Sequence, residues 1–413
     1  MKVGVNALFL IPGEVGGSET YLRCTLRAAA MLYPEHDFVV FANKENLDVL
    51  AHDLEQCSNV SLIDMHVSAT FRPRRIIAEQ TTLPRVAAAA EIDVLWNPGN
   101  ISLRRVRCPQ VTSVYDMQYV HFPEDFSRLT RFFVSNTTRR SLARADLVLT
   151  ISEFSRREII EHASVSAEKI RVTPLAADPA FGVPLPGELI AERVMKLTRS
   201  ADPYILVVAN TYPHKSVETA ITAFGLVAAR IPHRLVILGK PRRGEPAVQA
   251  ALEELPAWLR DGADAGEERL NEGEQSASRE EEGRLRAESG VSRVTRLYEV
   301  TQRDLIALYQ GASLFLFPSL YEGFGLPVLE AITAGIPVVT TREASIPEVG
   351  GDAVCYVPAR DAFAFADAIL HTLSTPDTRS TTATTSQCYS WEDTARATVE
   401  ALVAAGGASK TAH

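Results

Sequence analysis

Two glutamates stand eight residues apart in the stretch PSLYEGFGLPVLEAITAGIPVV: Glu322 and Glu330. The run ASLFLF before them reads as a buried strand. Gly323 and Gly325 let the following turn bring its backbone close to a ligand, and a helix is predicted from near Leu326 or Pro327, where proline fits the first turn. The N-terminus of such a helix directs free N–H groups and positive dipole at an anion, so a phosphate belongs there. Ionised carboxylates only accept hydrogen bonds, and two of them beside a phosphate-binding helix end suit hydroxyl-rich rings, a ribose and a sugar. The spacing points to a nucleotide-sugar site. Spacing alone also admits a Glu322 that caps its turn and a Glu330 that is merely solvated.

The elements that must position these groups are legible as short apolar runs alternating with helical segments. KVGVNAL, DFVVFA, VSLID, DVLWNP, PQVTSVYD and ADLVLTIS come first, and the pattern restarts after residue 200 with PYILVVAN, HRLVILGK, ASLFLFPS, IPVVTT and AVCYVP. This is the signature of parallel sheets covered by helices, and two Rossmann-like α/β domains account for it. The expected boundaries are an N-terminal domain at 1–180, a linker at 181–203 framed by Pro179, Pro184, Pro186 and Pro203, and a C-terminal domain at 204–390. An amphipathic helix is predicted over Trp391–Ala405. An acidic insertion is expected at about 242–292, with ten acidic residues against four arginines between 261 and 290.

Composition narrows the function. The 413 residues carry a formal charge of −9, which excludes nucleic-acid binding by bulk positive charge. No apolar run approaches the ~18 residues of a membrane span, and MKVGVNALFLIPGEVGG reads as a first buried strand and not as a signal peptide. Five scattered cysteines argue against a disulfide framework or zinc ribbon and for the reducing cytoplasm.

Further along the chain, the block Glu322-Gly-Phe-Gly-Leu-Pro-Val-Leu-Glu330 resembles the E-x7-E region of GT-B glycosyltransferases, in particular family 4, the retaining, mannosyltransferase-like group 1 enzymes. GGSETY, EQTTLP, DVLWNP, TISEFSRREI, PYILVVANTYPHKS, LYQGASLFLFPSLYEGFG and IPEVGGDAVCYV extend the likeness over most of the chain, with no counterpart for 241–293. The resemblance implies a GT-B fold: two Rossmann-like domains facing a cleft, the last helix returning to the first domain. It implies a hexosyltransferase acting with retention, with donor sugar hydroxyls on Glu322, ribose on Glu330, and diphosphate or sugar on the backbone of Gly323, Phe324, Gly325 and Leu326. Lys215 matches the donor-phosphate lysine, a point charge suited to a departing diphosphate. Asn210 and His214 stand in the same donor loop where relatives carry a small residue and an arginine, so one fixed charge at the phosphate is missing.

In the first domain, Gly16 and Gly17 match the family's glycine loop, continued by Ser18 or Glu19. Asp116 carries over as an active-centre residue, with Tyr115 where relatives often have histidine; His121 is a candidate replacement for that imidazole, or simply a packed ring. Ser152 is expected to cap a helix and to face the donor. Arg72, Arg74, Arg75, Arg104, Arg105 and Arg107 are candidates for a lipid pyrophosphate or an anionic membrane surface, against a default of solvated arginines. The expected partners are therefore a nucleotide sugar, GDP-mannose as first guess, and a saccharide or lipid-linked saccharide acceptor in polysaccharide or O-antigen assembly, with peripheral membrane association left open. No cofactor is expected. With neither a DxD sequence nor a clustered His/Asp/Glu ligand set, no metal is demanded. The rival readings are a degenerate binding subunit and a nucleotide-sugar epimerase or hydrolase on the same fold.

Overall fold

Most of the apolar runs become strands buried on both faces, which is why they read as nearly continuous hydrophobic segments. The computed structural model describes residues 1–14, 16–260, 292–375 and 389–410. The chain divides into two compact units, Met1–Ala176 with Cys388–His413, and Ala177–Gln387.

The first unit is a seven-stranded parallel sheet of β1 (Lys2–Asn6), β2 (Asp37–Ala42), β3 (Val60–Asp64), β4 (Val94–Asn97), β5 (Gln110–Ser113), β6 (Leu147–Thr150) and β7 (Ile170–Val172). Its order is β3-β2-β1-β4-β5-β6-β7, so the winding reverses between β1 and β4. Val3, Val5, Val40, Phe41, Leu95 and Leu149 fill the core. The helix Trp391–Lys410 packs on the helix Gly17–Leu32 of the same unit, returning as the resemblance implies. Ala395, Val399 and Leu402 are its buried face, and the Thr394 hydroxyl donates to the carbonyl of Pro174 at 2.5 Å.

The second unit is a six-stranded parallel sheet of β8 (Tyr204–Val208), β9 (Arg234–Leu238), β10 (Val294–Leu297), β11 (Leu314–Phe317), β12 (Val338–Thr341) and β13 (Cys355–Val357). Its order is β10-β9-β8-β11-β12-β13, with the winding reversed between β8 and β11. Among the described residues no helix is long and apolar enough to cross a membrane.

Two boundaries and two strands differ from expectation. The stretch 181–203 is no free linker. Phe181 is buried edge-on against Tyr309, with ring centroids 5.2 Å apart, and Gly187–Thr198 is a helix tied to the helix Gln302–Gly311 by Arg193 Nη1 on Asp304 at 2.6 Å. Residues 242–260, expected within the insertion, also belong to the unit: Val248 and Leu259 are buried, and Glu245 pairs with Arg296. The acidic run itself, 261–291, lies outside the described residues. Strands β7 and β10 were not anticipated, because each is a short edge strand interrupted by a charged residue, Arg171 or Arg296.

The buried face of the last helix yields a stability prediction. Leu402→Ala removes a side chain that is 1% exposed and is expected to cost about 2–5 kcal/mol, read as a lower melting temperature of the first unit, while nucleotide binding to the second unit is unchanged.

Candidate active site

Ligands of open parallel α/β sheets bind beyond the carboxyl ends of strands where the winding reverses. In the second unit that place is formed by the loops after β8 and β11. After β8 the chain makes a 3-10 turn, Pro213–Lys215, closed by Ser216 in the left-handed region at φ 49°. The Ser216 hydroxyl is held by Thr219 Oγ1 at 2.8 Å. This turn is bound to the β11 loop by its backbone, Leu320 N–H donating to the His214 carbonyl at 2.7 Å. Across the same junction Lys215 Nζ donates to Glu322 Oε1 at 2.5 Å, and lies 5.8 Å from the centroid of the Phe317 ring. Both side chains are mostly buried, at 19% and 10% exposure. A charge pair this sheltered exists because each partner offsets the desolvation of the other.

Loops from β12 support Glu322 from behind. The Ser345 hydroxyl donates to the Glu322 carbonyl at 2.8 Å, and the Thr341 hydroxyl to the Ser319 carbonyl at 2.5 Å. Gly325 sits at φ 99°, a conformation that favours glycine, and turns the chain into the helix Leu326–Thr333. No side chain caps that helix; Pro327 has no N–H and the Val328 amide donates to the Gly325 carbonyl at 3.0 Å, so the Leu326 amide is the first-turn donor at the turn.

Glu330 lies one turn into the helix, where its Oε2 accepts from the Tyr309 hydroxyl at 2.8 Å. Burial pushes its carboxyl up to about 7; the Tyr309 hydrogen bond opposes that rise and the Asp178 charge adds to it. The other two candidates of the donor loop serve as scaffold. Asn210 Oδ1 accepts from Lys240 N–H at 2.8 Å, joining the loops after β8 and β9. The His214 ring is buried and stacked on Tyr212, 5.6 Å between centroids.

In the first unit the candidates lie on loops at the carboxyl edge of its sheet. Gly16, at φ 59°, precedes the helix Gly17–Leu32, and Glu19 folds back to accept from Gly13 N–H at 2.7 Å while pairing with Arg23. Asp116, after β5, accepts from Gln118 N–H at 3.0 Å. The Tyr115 hydroxyl donates to the Pro98 carbonyl at 2.5 Å and its ring meets Tyr21 edge-on, which makes this aromatic a packing residue. Ser152, after β6, caps the helix Glu153–Ala163 by accepting from Ser155 N–H at 2.9 Å. His121 Nε2 contacts Glu158 Oε2, and His162 Nε2 stands 3.6 Å from the same oxygen. The fold thus assembles a His/Glu/His group from residues the sequence leaves scattered.

The family model described as Glycosyl transferases group 1 matches residues 191–387, and that described as Glycosyltransferase Family 4 matches 15–181. The chain belongs to the group 1 glycosyltransferases. As a glycosyltransferase it is a hexosyl-transferring enzyme of GT-B fold. It is similar to O-antigen chain mannosyltransferase B of Escherichia coli, 29% identical over 317 residues, covering 75% of this chain and 74% of that one. Among solved structures it resembles a glycosyltransferase of Rickettsia africae, with 15% identity, TM-score 0.65 and 98% of both chains covered. It also resembles HepE of Anabaena in complex with UDP, with 18% identity, TM-score 0.60, and 100% of this chain and 98% of that one covered.

The glycosyltransferase site also uses Tyr309, which lies in the LYQGASLFLFPSLYEGFG stretch without being singled out there, and Ser345, which lies in none of the quoted motifs. Tyr309 and Ser345 hold the two glutamates, but each lies in an ordinary helical or loop context more than twenty residues from its partner. The signal for both was position: Tyr309 precedes β11, a strand of the reversal point, and Ser345 follows its neighbour β12.

Glu330 makes stability depend on pH. The folded carboxyl keeps its proton to about pH 7, whereas the unfolded chain loses it near 4.5. Folding therefore takes up a proton between those values, and this group lowers stability as pH rises through that window. Glu330→Gln is expected to match the wild type at pH 5 and to exceed it by roughly 1–3 kcal/mol at pH 8, read by denaturant titration of the ligand-free enzyme.

Proposed function

We propose that this glycosyltransferase moves a mannosyl group from GDP-mannose to a hydroxyl of a saccharide or lipid-linked saccharide in O-antigen or related surface-polysaccharide assembly, with retention at the anomeric carbon. The observation that carries the reading is the Lys215–Glu322 pair, set at 2.5 Å beside the uncapped helix Leu326–Thr333 at the reversal point of the second sheet. The E. coli relative named as an O-antigen mannosyltransferase supports the choice of sugar and pathway class.

In the reaction the acceptor oxygen forms a bond to the anomeric carbon while the bond from that carbon to the diphosphate oxygen breaks. The nucleoside diphosphate leaves with the bonding electrons, and the acceptor proton passes to the departing phosphate. Attack on the face the diphosphate vacates gives retention without a protein nucleophile. The enzyme's share is electrostatic: Lys215 and the dipole and Leu326 amide at the start of Leu326–Thr333 face the negative charge that grows on the leaving group. Glu322 aims Lys215 and accepts from sugar hydroxyls, and Glu330 accepts from the ribose. Gly16, Asp116 and Ser152 belong to the acceptor-side unit.

A lipid-bearing acceptor fits the surface around Arg72 and Arg74, where Phe71 and Ile77 are 61% and 62% exposed. Action in the cytoplasm, at the inner face of a membrane, goes with that surface and with the thiol state of Cys24, Cys57, Cys108 and Cys355.

A thermal-shift panel of GDP-, UDP-, ADP- and dTDP-sugars tests the donor. GDP-mannose is expected to raise the melting temperature, in line with about 2.7 kcal/mol at a hundredfold excess over Kd, and Glu330→Ala to abolish the shift. No response to any nucleotide sugar would favour a degenerate binding subunit, and donor turnover without acceptor an epimerase or hydrolase. Donor affinity is also expected to increase from pH 6 to pH 8, because only the ionised Glu330 accepts from both ribose hydroxyls. Isothermal titration at the two pH values reads this, and a flat profile contradicts the ribose assignment.

A further inference from the structure

His121, Glu158 and His162 converge on one point although 37 residues separate the first from the second. Glu158 and His162 are one helical turn apart on Glu153–Ala163, so both side chains leave the same face. His121 closes the short helix Gln118–His121 and reaches that face from the β5 side. One ligand atom from each residue lies within 4.8 Å of the other two, and the imidazole rings meet nearly at right angles, at 73° with centroids 5.4 Å apart. The Glu158 carboxylate is buried at 8% exposure, and a single oxygen, Oε2, faces both Nε2 atoms.

We propose that this group is a binding site for a borderline divalent transition-metal ion, Zn2+ foremost. Two imidazole nitrogens and one carboxylate oxygen are the donor set such ions select, while Mg2+ and Ca2+ demand oxygen ligands throughout. A buried carboxylate whose Oε2 faces two ring nitrogens is satisfied by a cation held between them. Solvent reaches the site on the His121 and His162 side, whose side chains are 37% and 26% exposed. The ion would tie the segment after β5, which carries Asp116, to the helix that Ser152 caps after β6. Its role is to position the Asp116 loop, and His121 is a ligand of that clamp.

The test uses the full-length, tag-free chain and the metal alone. Zn2+ titration is expected to give one saturable site and a raised melting temperature, and Co2+ to give the visible d–d absorption of an imidazole-ligated ion. His162→Ala is expected to weaken binding by about tenfold or more, since even loss of outer-shell support typically costs 10–100-fold. Glu158→Gln is expected to do the same, and far-ultraviolet circular dichroism confirms that each variant is folded. His52→Ala, at the exposed His52–Glu55 pair, is expected to bind as the wild type does. No saturable binding, or equal binding by wild type and a folded His162→Ala, overturns the proposal.

Discussion

The site depends on one sheltered charge pair. Lys215 and Glu322 come from loops 107 residues apart in sequence, and neither would be tolerated at its exposure without the other. The pair therefore does two things at once. It fastens the loop after β8 to the loop after β11, and it stores a positive charge, already stripped of most of its water, at the place where a phosphate can compete for it. A lysine in bulk solvent would have to shed its hydration during the reaction; this one has shed it on folding.

Everything around the pair limits how those two loops can move. The Leu320 amide on the His214 carbonyl, the Ser345 hydroxyl on the Glu322 carbonyl and the Thr341 hydroxyl on the Ser319 carbonyl each replace a water with a fixed partner. Gly325 then redirects the chain so that the helix Leu326–Thr333 starts beside Glu322. The helix in turn sets Glu330 against Tyr309, where burial holds the carboxyl near the middle of the physiological range. One unit thus presents a cation, a helix N-terminus and two carboxylates within a single turn-and-helix segment and the loop it is pinned to.

Much of this was legible in the chain because it is encoded locally. The parallel strands announce themselves as apolar runs, and the turn and helix around Glu322–Glu330 follow from two glycines and a proline, all within the reach of a short window. What escaped is set by tertiary partners. Gly187–Thr198 resembles a linker because prolines bracket it, yet its packing on Gln302–Gly311 makes it part of the second unit. In the His121, Glu158 and His162 group only the i,i+4 pair Glu158 and His162 is visible in sequence; the adjacency of β5 and β6 adds His121.

The most direct test of the central claim is a double-mutant cycle on donor turnover with Lys215→Met, Glu322→Gln and both together. If the lysine charge, aimed by the glutamate, stabilises the departing diphosphate, Lys215→Met should lower kcat by about 10²–10³. The double variant should then lose little more than the worse single one, because the two residues act as a unit. A Lys215→Met enzyme with unchanged kcat, or single losses that multiply in full, would contradict the account.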